Sequence, residues 1–394
     1  MSQPRTGLVL SGGGARGAYE VGVLSYIFSD LARREGKEPQ VEVICGTSVG
    51  AVNGVFLASS LDQSRRGVAR LEGIWSNLQL GTVMGFGIKQ AVGLPRVLFG
   101  GDSPAGIFDA SPLTKLVSEG IQWRNVRRNI RAGYLKALTI SATHVATGRP
   151  VVFVDQARGM EPLRLESGNA LVQETPILPQ HVLASAALPL IFPPVALRDE
   201  LYCDGGLRLN TPMAPAIHLG VEKLLVVGVA SEVRQDQPRR GIPKGRMPGA
   251  PFLLGKVLNA FLLDHVENDL VNVEWTNALL RDLEAIGGEE LLAKLDEQVR
   301  ARQKPTRRVI DTITIRPSVD IGSVAGEFLR KHRFHLRRVL GRSFLRLLDV
   351  GEGTDADLAS YLLFDGGFAQ RLIDLGRRDA AARADELAAF LYEH

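Results

Sequence analysis

Cysteine is nearly absent: Cys45 and Cys203 are the only two in 394 residues. They exclude a disulfide framework, and they do not have the spacing of a metal site. Long apolar runs are missing too, since no uncharged apolar run approaches the ~20 residues of a membrane span. The first ten residues contain Arg5 and too short an apolar run for a secretory signal. Charge of one sign is not in excess: 47 Lys and Arg face 43 Asp and Glu, a net +4, which supplies no strong field for a polyanion. Aromatic residues are only 6% of the chain and rarely interleave with the basic ones, so nucleic-acid binding is not expected. These absences leave a protein expected in the cytoplasm, or peripheral at a membrane, that needs no cofactor or metal. What is present is a globular composition, 45% apolar and 23% charged, in a chain long enough to bury a large core.

The first sixty residues alternate regularly. Residues 7–10 read as a buried strand, and Gly12-Gly13-Gly14-Ala15-Arg16-Gly17 as a glycine loop. From Ala18 to about Arg34, Val21, Leu24, Ile27, Phe28 and Leu31 share one face of a helix. Val41–Cys45 is a second strand, Gly46–Gly50 a turn and Ala51–Ser59 a second helix, which predicts a parallel α/β sheet. Further strands are expected at 137–142, 151–154, 223–230 and 309–315, with helices filling 255–303 and 325–394. Residues 81–106 are glycine-rich, apolar and nearly uncharged, and read as a loop or short-helix region, serving either as a lid or interfacial loop or as core packing. Residues 231–251, rich in Arg, Lys, Pro and Gly, read as an exposed linker.

Three segments carry chemistry. Gly46-Thr47-Ser48-Val49-Gly50 lies between a strand and a helix, where a G-x-S-x-G sequence makes an elbow that presents the serine at the top of the sheet. The competing interpretation is a tight turn with a capping Ser or Thr. Gly12, Gly13 and Gly14 leave three amides unshielded at a helix start, a site for an anion such as an oxyanion, and Arg16 adds positive charge. The same letters fit the dinucleotide fingerprint G-x-G-x-x-G, but the second strand ends Ile44-Cys45-Gly46 without the acid that would hold a ribose. Asp204-Gly205-Gly206 could present a carboxylate at a turn or be an ordinary Asp-Gly turn. A fourth segment, Ala184-Ser185-Ala186-Ala187-Leu188-Pro189-Leu190-Ile191-Phe192-Pro193-Pro194, reads as a short helix running into an apolar turn with no chemistry of its own.

Together, in their order along the chain, the four segments resemble the patatin-like phospholipases over about residues 7–217. The resemblance implies a three-layer α/β/α fold with a mostly parallel sheet, here extending over 1–320 with a helical C-terminal extension over 321–394. It implies a serine esterase acting on phospholipids or lysophospholipids. Ser48 would be the nucleophile, Asp204 the base, and Gly12, Gly13, Gly14 and Arg16 the oxyanion hole. A second Asp-Gly-Gly, at Asp365, lies far from the fourth segment and is assigned to structure. A lipid acyltransferase using the same residues is the alternative, with a non-catalytic lipid- or nucleotide-binding module more remote.

A Ser-Asp pair raises a physical difficulty. An ordinary aspartate, with pKa ~3.9, is a poor base at neutral pH unless burial raises it. A Ser-His-Asp triad would use Asp204 with His218 or His265, and His144 lies near a strand end close to the expected site. Finally, residues 330–346 combine leucines on one helical side with seven Arg and Lys, a pattern suited to an anionic lipid surface.

Overall fold

The computed structural model describes residues 4–83, 85, 108–165, 170–231, 253, 255–259, 265–301, 308–332 and 356–393. The apolar stretch 81–106, the linker 231–251 and the basic segment 330–346 lie largely outside these residues.

The centre is a nine-stranded, mostly parallel sheet with helices on both sides. Its main path runs β5 (Leu171–Glu174), β4 (Pro150–Gln156), β3 (Ala137–His144), β2 (Val43–Thr47), β1 (Thr6–Leu10), β8 (Lys223–Val227) and β9 (Asp311–Ile315). β1, β2 and β3 are buried along their whole length, as strands covered on both faces must be. The pleat sorts their side chains. Leu8, Leu10 and Ile44 join one core with the helices α1 (Gly17–Ser25) and α2 (Val49–Ala58). Val9, Val43 and Cys45 join the other core, with Met213 and Ala216 of α3 (Met213–His218).

The C-terminal residues return to this first core. Phe368, Leu372 and Ile373 of the helix Gly366–Ala381 pack in the same cluster as Leu24, Ile27 and Phe28. That helix meets α1 with glycine on both sides: a Cβ on Gly376 would sit 3.2 Å from the Cα of Gly22, so the backbones come closer than side chains permit.

Strands β1 to β4, β8 and β9 fall where hydrophobic patterning predicts them. The short β5, β6 (Val195–Leu197) and β7 (Glu200–Asp204) do not. β7 owes its place to β3. β2 pairs with β3 only as far as Thr47 opposite Ser141, while β4 occupies the other edge up to Thr143. The remaining length of β3 is filled by an antiparallel β7, with Asp204 opposite Ala142. The C-terminal ends of β2 and β7 therefore meet head to head, and residues 156 apart in sequence become neighbours. No helix among the described residues is long and apolar enough to cross a membrane.

Candidate active site

Ser48 sits where β2 turns into α2, with φ 54° and ψ −123°. For a residue bearing a Cβ this is a strained conformation, of the kind that costs on the order of 1–3 kcal/mol and persists only where the surroundings enforce it. The flanking glycines show why the turn can be so sharp. A Cβ on Gly46 would lie 2.5 Å from the carbonyl oxygen of Gly50, and one on Gly50 would collide with the carbonyl of Leu10. Neither hydroxyl in the turn caps the helix. Thr47 Oγ1 donates to the Leu209 carbonyl at 2.7 Å, and Ser48 Oγ donates to Asp204 Oδ2 at 2.6 Å.

Asp204 is buried, and its other oxygen accepts the Gly206 amide at 2.7 Å. Burial pushes its pKa from 3.8 up to about 6, against the lowering pull of the bonds from Ser48 and Gly206. The base difficulty raised by the sequence is thus eased by the carboxyl's own environment. No described histidine bonds to Asp204. His144 Nδ1 is 2.8 Å from Thr147 Oγ1, and its Nε2 faces Glu200 at 3.9 Å. His181 accepts the Leu178 amide, and burial pushes it down to about 4.

The glycine loop departs from the expectation. The Gly12 amide is occupied, donating to the Asn210 carbonyl at 3.1 Å, and the Asn210 side chain returns a bond to the Gly12 carbonyl at 3.3 Å. Gly12 therefore cannot offer its N–H to a ligand. The amides of Gly13 and Gly14 have no hydrogen-bond partner among the described residues, and both residues line the cavity beside Ser48. Gly13 is buried and Gly14 half-buried, and both amides keep a donor that the fold itself leaves unused. Arg16 does not face this cavity. Its side chain is buried, with Nε donating to Ser360 Oγ at 2.8 Å and the guanidinium 4.1 Å from the centre of the Tyr361 ring. A guanidinium sealed between the loop and the C-terminal residues cannot act as the expected oxyanion donor.

Ser185, in the segment that carried no chemistry by sequence, holds the elbow. Its Oγ accepts the Ser48 amide at 2.8 Å and donates to the Ser141 carbonyl at 2.6 Å. One hydroxyl thus ties the strained residue to β3. Two residues on, the Ala187 carbonyl accepts the Asp204 amide at 2.9 Å, so the same segment also anchors the carboxylate. Nothing in the sequence marks Ser185 as different from any other small helical residue.

The cavity beside Ser48 and Asp204 spans about 940 Å³, including its opening to solvent. Its walls are apolar: Val52 and Phe56 from α2, Leu71, Trp75 and Leu78 beyond it, Leu113 and Val117, and Leu188, Ile191 and Phe192 from the Ser185 segment. The polar ends of its two hydrogen-bonding aromatics are used elsewhere, Trp75 Nε1 by Asn53 at 3.1 Å and Tyr361 Oη by Asn259 at 2.8 Å. Asp365 is not among the residues lining the cavity and caps the helix Gly366–Ala381, accepting the amides of Gly367 and Phe368 at 2.9 and 3.1 Å. Cys45 and Cys203 are buried free thiols, pushed up by burial to about 12 and about 11.

The mostly parallel sheet, with helices on both sides, thus carries Ser48 at a strand-to-helix turn on the wall of an apolar cavity. The patatin-like phospholipase family profile matches residues 8–217, just over half of the chain, and the chain belongs to that family. In overall structure it is similar to VipD from Legionella pneumophila, at 13% identity over 95% of this chain and 67% of that one, with a TM-score of 0.32. It is also similar to the ExoU–SpcU complex of the type III secretion system of Pseudomonas aeruginosa, at 19% identity over 91% of this chain and 68% of that one, with a TM-score of 0.28.

Proposed function

We propose that this chain hydrolyses acyl esters of phospholipids or lysophospholipids through Ser48 and Asp204. The observation that carries the reading is the 2.6 Å bond from Ser48 Oγ to a buried carboxylate at the wall of an apolar cavity. The cavity takes the acyl chain, and its carbonyl carbon lies against Ser48. As Oγ attacks, its proton passes to Asp204 Oδ2, and the carbonyl oxygen becomes an oxyanion. The open amides of Gly13 and Gly14 receive that charge, at a position where one donor is typically worth ~10²–10³ in turnover. Asp204 returns the proton to the departing alcohol, and water then attacks the acyl-serine with Asp204 again as base. With a pKa of about 6, Asp204 is mostly ionised at neutral pH yet basic enough to accept a proton in the transition state.

Such an enzyme reaches bilayer lipid from the surface. The test combines a fluorophosphonate probe, which labels an activated serine, with a lipid panel read by mass spectrometry of the products. The parent should label at Ser48 and release free fatty acid, and Ser48→Ala should do neither. Transfer of the acyl group to an added alcohol in preference to water would move the assignment to an acyltransferase. Absence of both labelling and acyl release would end the proposal.

A further inference from the structure

We infer that Asp357 and Ser360, at the far end of the chain, are positioning residues for the oxyanion loop and act through Arg16. The inference rests on the reading above that the Gly13 and Gly14 amides receive the oxyanion.

The loop is held from behind. Arg16 donates its own amide to the Gly13 carbonyl at 3.1 Å, which couples its position directly to the turn carrying the two open N–H groups. Its guanidinium is permanently charged and 1% exposed, and such a group is tolerated only when its donors are matched. Every described partner of that side chain comes from the C-terminal part of the chain. Nε donates to Ser360 Oγ at 2.8 Å, and Nη2 donates to Asn259 Oδ1 at 3.2 Å and faces Asp357 Oδ1 at 3.7 Å. Ser360 Oγ in turn donates to the Asp357 carbonyl at 2.6 Å, and Lys256 Nζ binds Asp357 Oδ2 at 2.6 Å. These contacts tie the Arg16 guanidinium to residues 259 and 357–360.

The same residues touch the loop directly. Gly14 has φ 56°, and a Cβ there would collide with the carbonyl oxygen of Tyr361. Tyr361 and Leu362 then continue into the cavity wall. Residues 357–361 support the oxyanion loop, and Tyr361, Leu362 and Phe364 wall the pocket the loop serves. A shift of about 1 Å in a positioning group can cost on the order of 10² in rate, so loosening this clasp should cost turnover while leaving Ser48 and Asp204 in place.

The experiment uses the full chain, with Ser360→Ala and Asp357→Asn, a soluble short-chain nitrophenyl ester and the fluorophosphonate probe. Ser360→Ala should lower kcat on the order of 10-fold and Asp357→Asn on the order of 10²-fold, each with KM within about twofold of the parent. The labelling rate should fall in step with kcat, and the pH at which activity is half lost should not move, because Asp204 is untouched. Ser360→Thr, which keeps the hydroxyl, should recover most of the rate. A purely structural clasp would lower the melting temperature but leave kcat per folded molecule at the parent value, and that result overturns the inference. If Asp357→Asn does not fold, Ser360→Ala with its threonine rescue decides alone. A parent chain that neither labels nor hydrolyses refutes the reading of the site and this inference with it. An active parent with equally active variants refutes this inference only.

Discussion

Replacing Asp204 with Asn should abolish activity and make the protein more stable, and the gain should depend on pH. The buried carboxyl titrates at about 6 in the folded protein, against an ordinary value of 3.8. Below pH 3.8 it is protonated in both folded and unfolded chains, so burial carries no ionisation penalty. Between the two values the unfolded chain loses its proton first, and the fold is penalised increasingly. Above pH 6 the penalty is complete. A shift of about two units corresponds to about 3 kcal/mol. Asn has the same shape and can satisfy the same neighbours, its Oδ1 accepting the Gly206 amide and its Nδ2 donating to Ser48 Oγ. Spread over an unfolding entropy of roughly 2 cal/mol/K per residue, 3 kcal/mol amounts to a rise of about 3–4 °C in Tm. The assay is thermal unfolding of parent and Asp204→Asn at pH 8 and pH 4. The variant should be the more stable at pH 8, with the difference largely gone at pH 4. In the parent, kcat/KM should fall as pH drops through about 6, because the base must be unprotonated. Equal melting temperatures at pH 8, or an acid limb near pH 4, would falsify the account of Asp204 as a carboxylate held at a cost to the fold.

Three further outcomes follow from the same geometry. Ser48→Gly and Ser48→Ala should both be inactive, but the glycine variant should be the more stable by ~1 kcal/mol because it relieves the positive φ. Identical denaturation curves would mean the elbow is unstrained. Ser185→Ala leaves the Ser48 amide and the Ser141 carbonyl without their shared partner, a loss of ~1–3 kcal/mol, and should lower both Tm and kcat. Parent-like turnover would show that the elbow holds itself. Asp365→Ala removes a helix cap, typically worth ~1 kcal/mol, and should keep full activity per folded molecule. Loss of activity in a well-folded variant would reopen the choice between the two Asp-Gly-Gly aspartates.

Legibility in the sequence followed distance along the chain. The elbow around Ser48 was readable because its requirements are local: Gly46 and Gly50 are dictated by backbone atoms a few residues away or on the adjoining strand. The strands β1 to β4, β8 and β9 were readable because each carries its own apolar pattern. β7 has none, and the pairing of Asp204 with Ser48 depends on β3 outrunning β2, a property of three strands together. Ser185 shows the same limit, since its role exists only once β2, β3 and its own helix have converged.

Arg16 makes the limit quantitative. Read locally, a cation beside three glycine amides belongs to an anion site. The acid one helical turn on, Glu20, is not its partner. It is fully buried, desolvation pushes its pKa well above the usual carboxylate range, and its Oε2 accepts from Asn53 at 2.9 Å rather than pairing with Arg16. A buried guanidinium still needs a counter-charge to offset its desolvation. The chain supplies that charge from Asp357, and the side-chain hydrogen bonds of Arg16 to Asn259 and Ser360 span 243 and 344 residues. The family profile ends at residue 217, so the groups that orient this loop lie outside the part of the chain that identifies it. A truncation after the matched region would therefore keep Ser48 and Asp204 in the sequence and lose the counter-charge of Arg16.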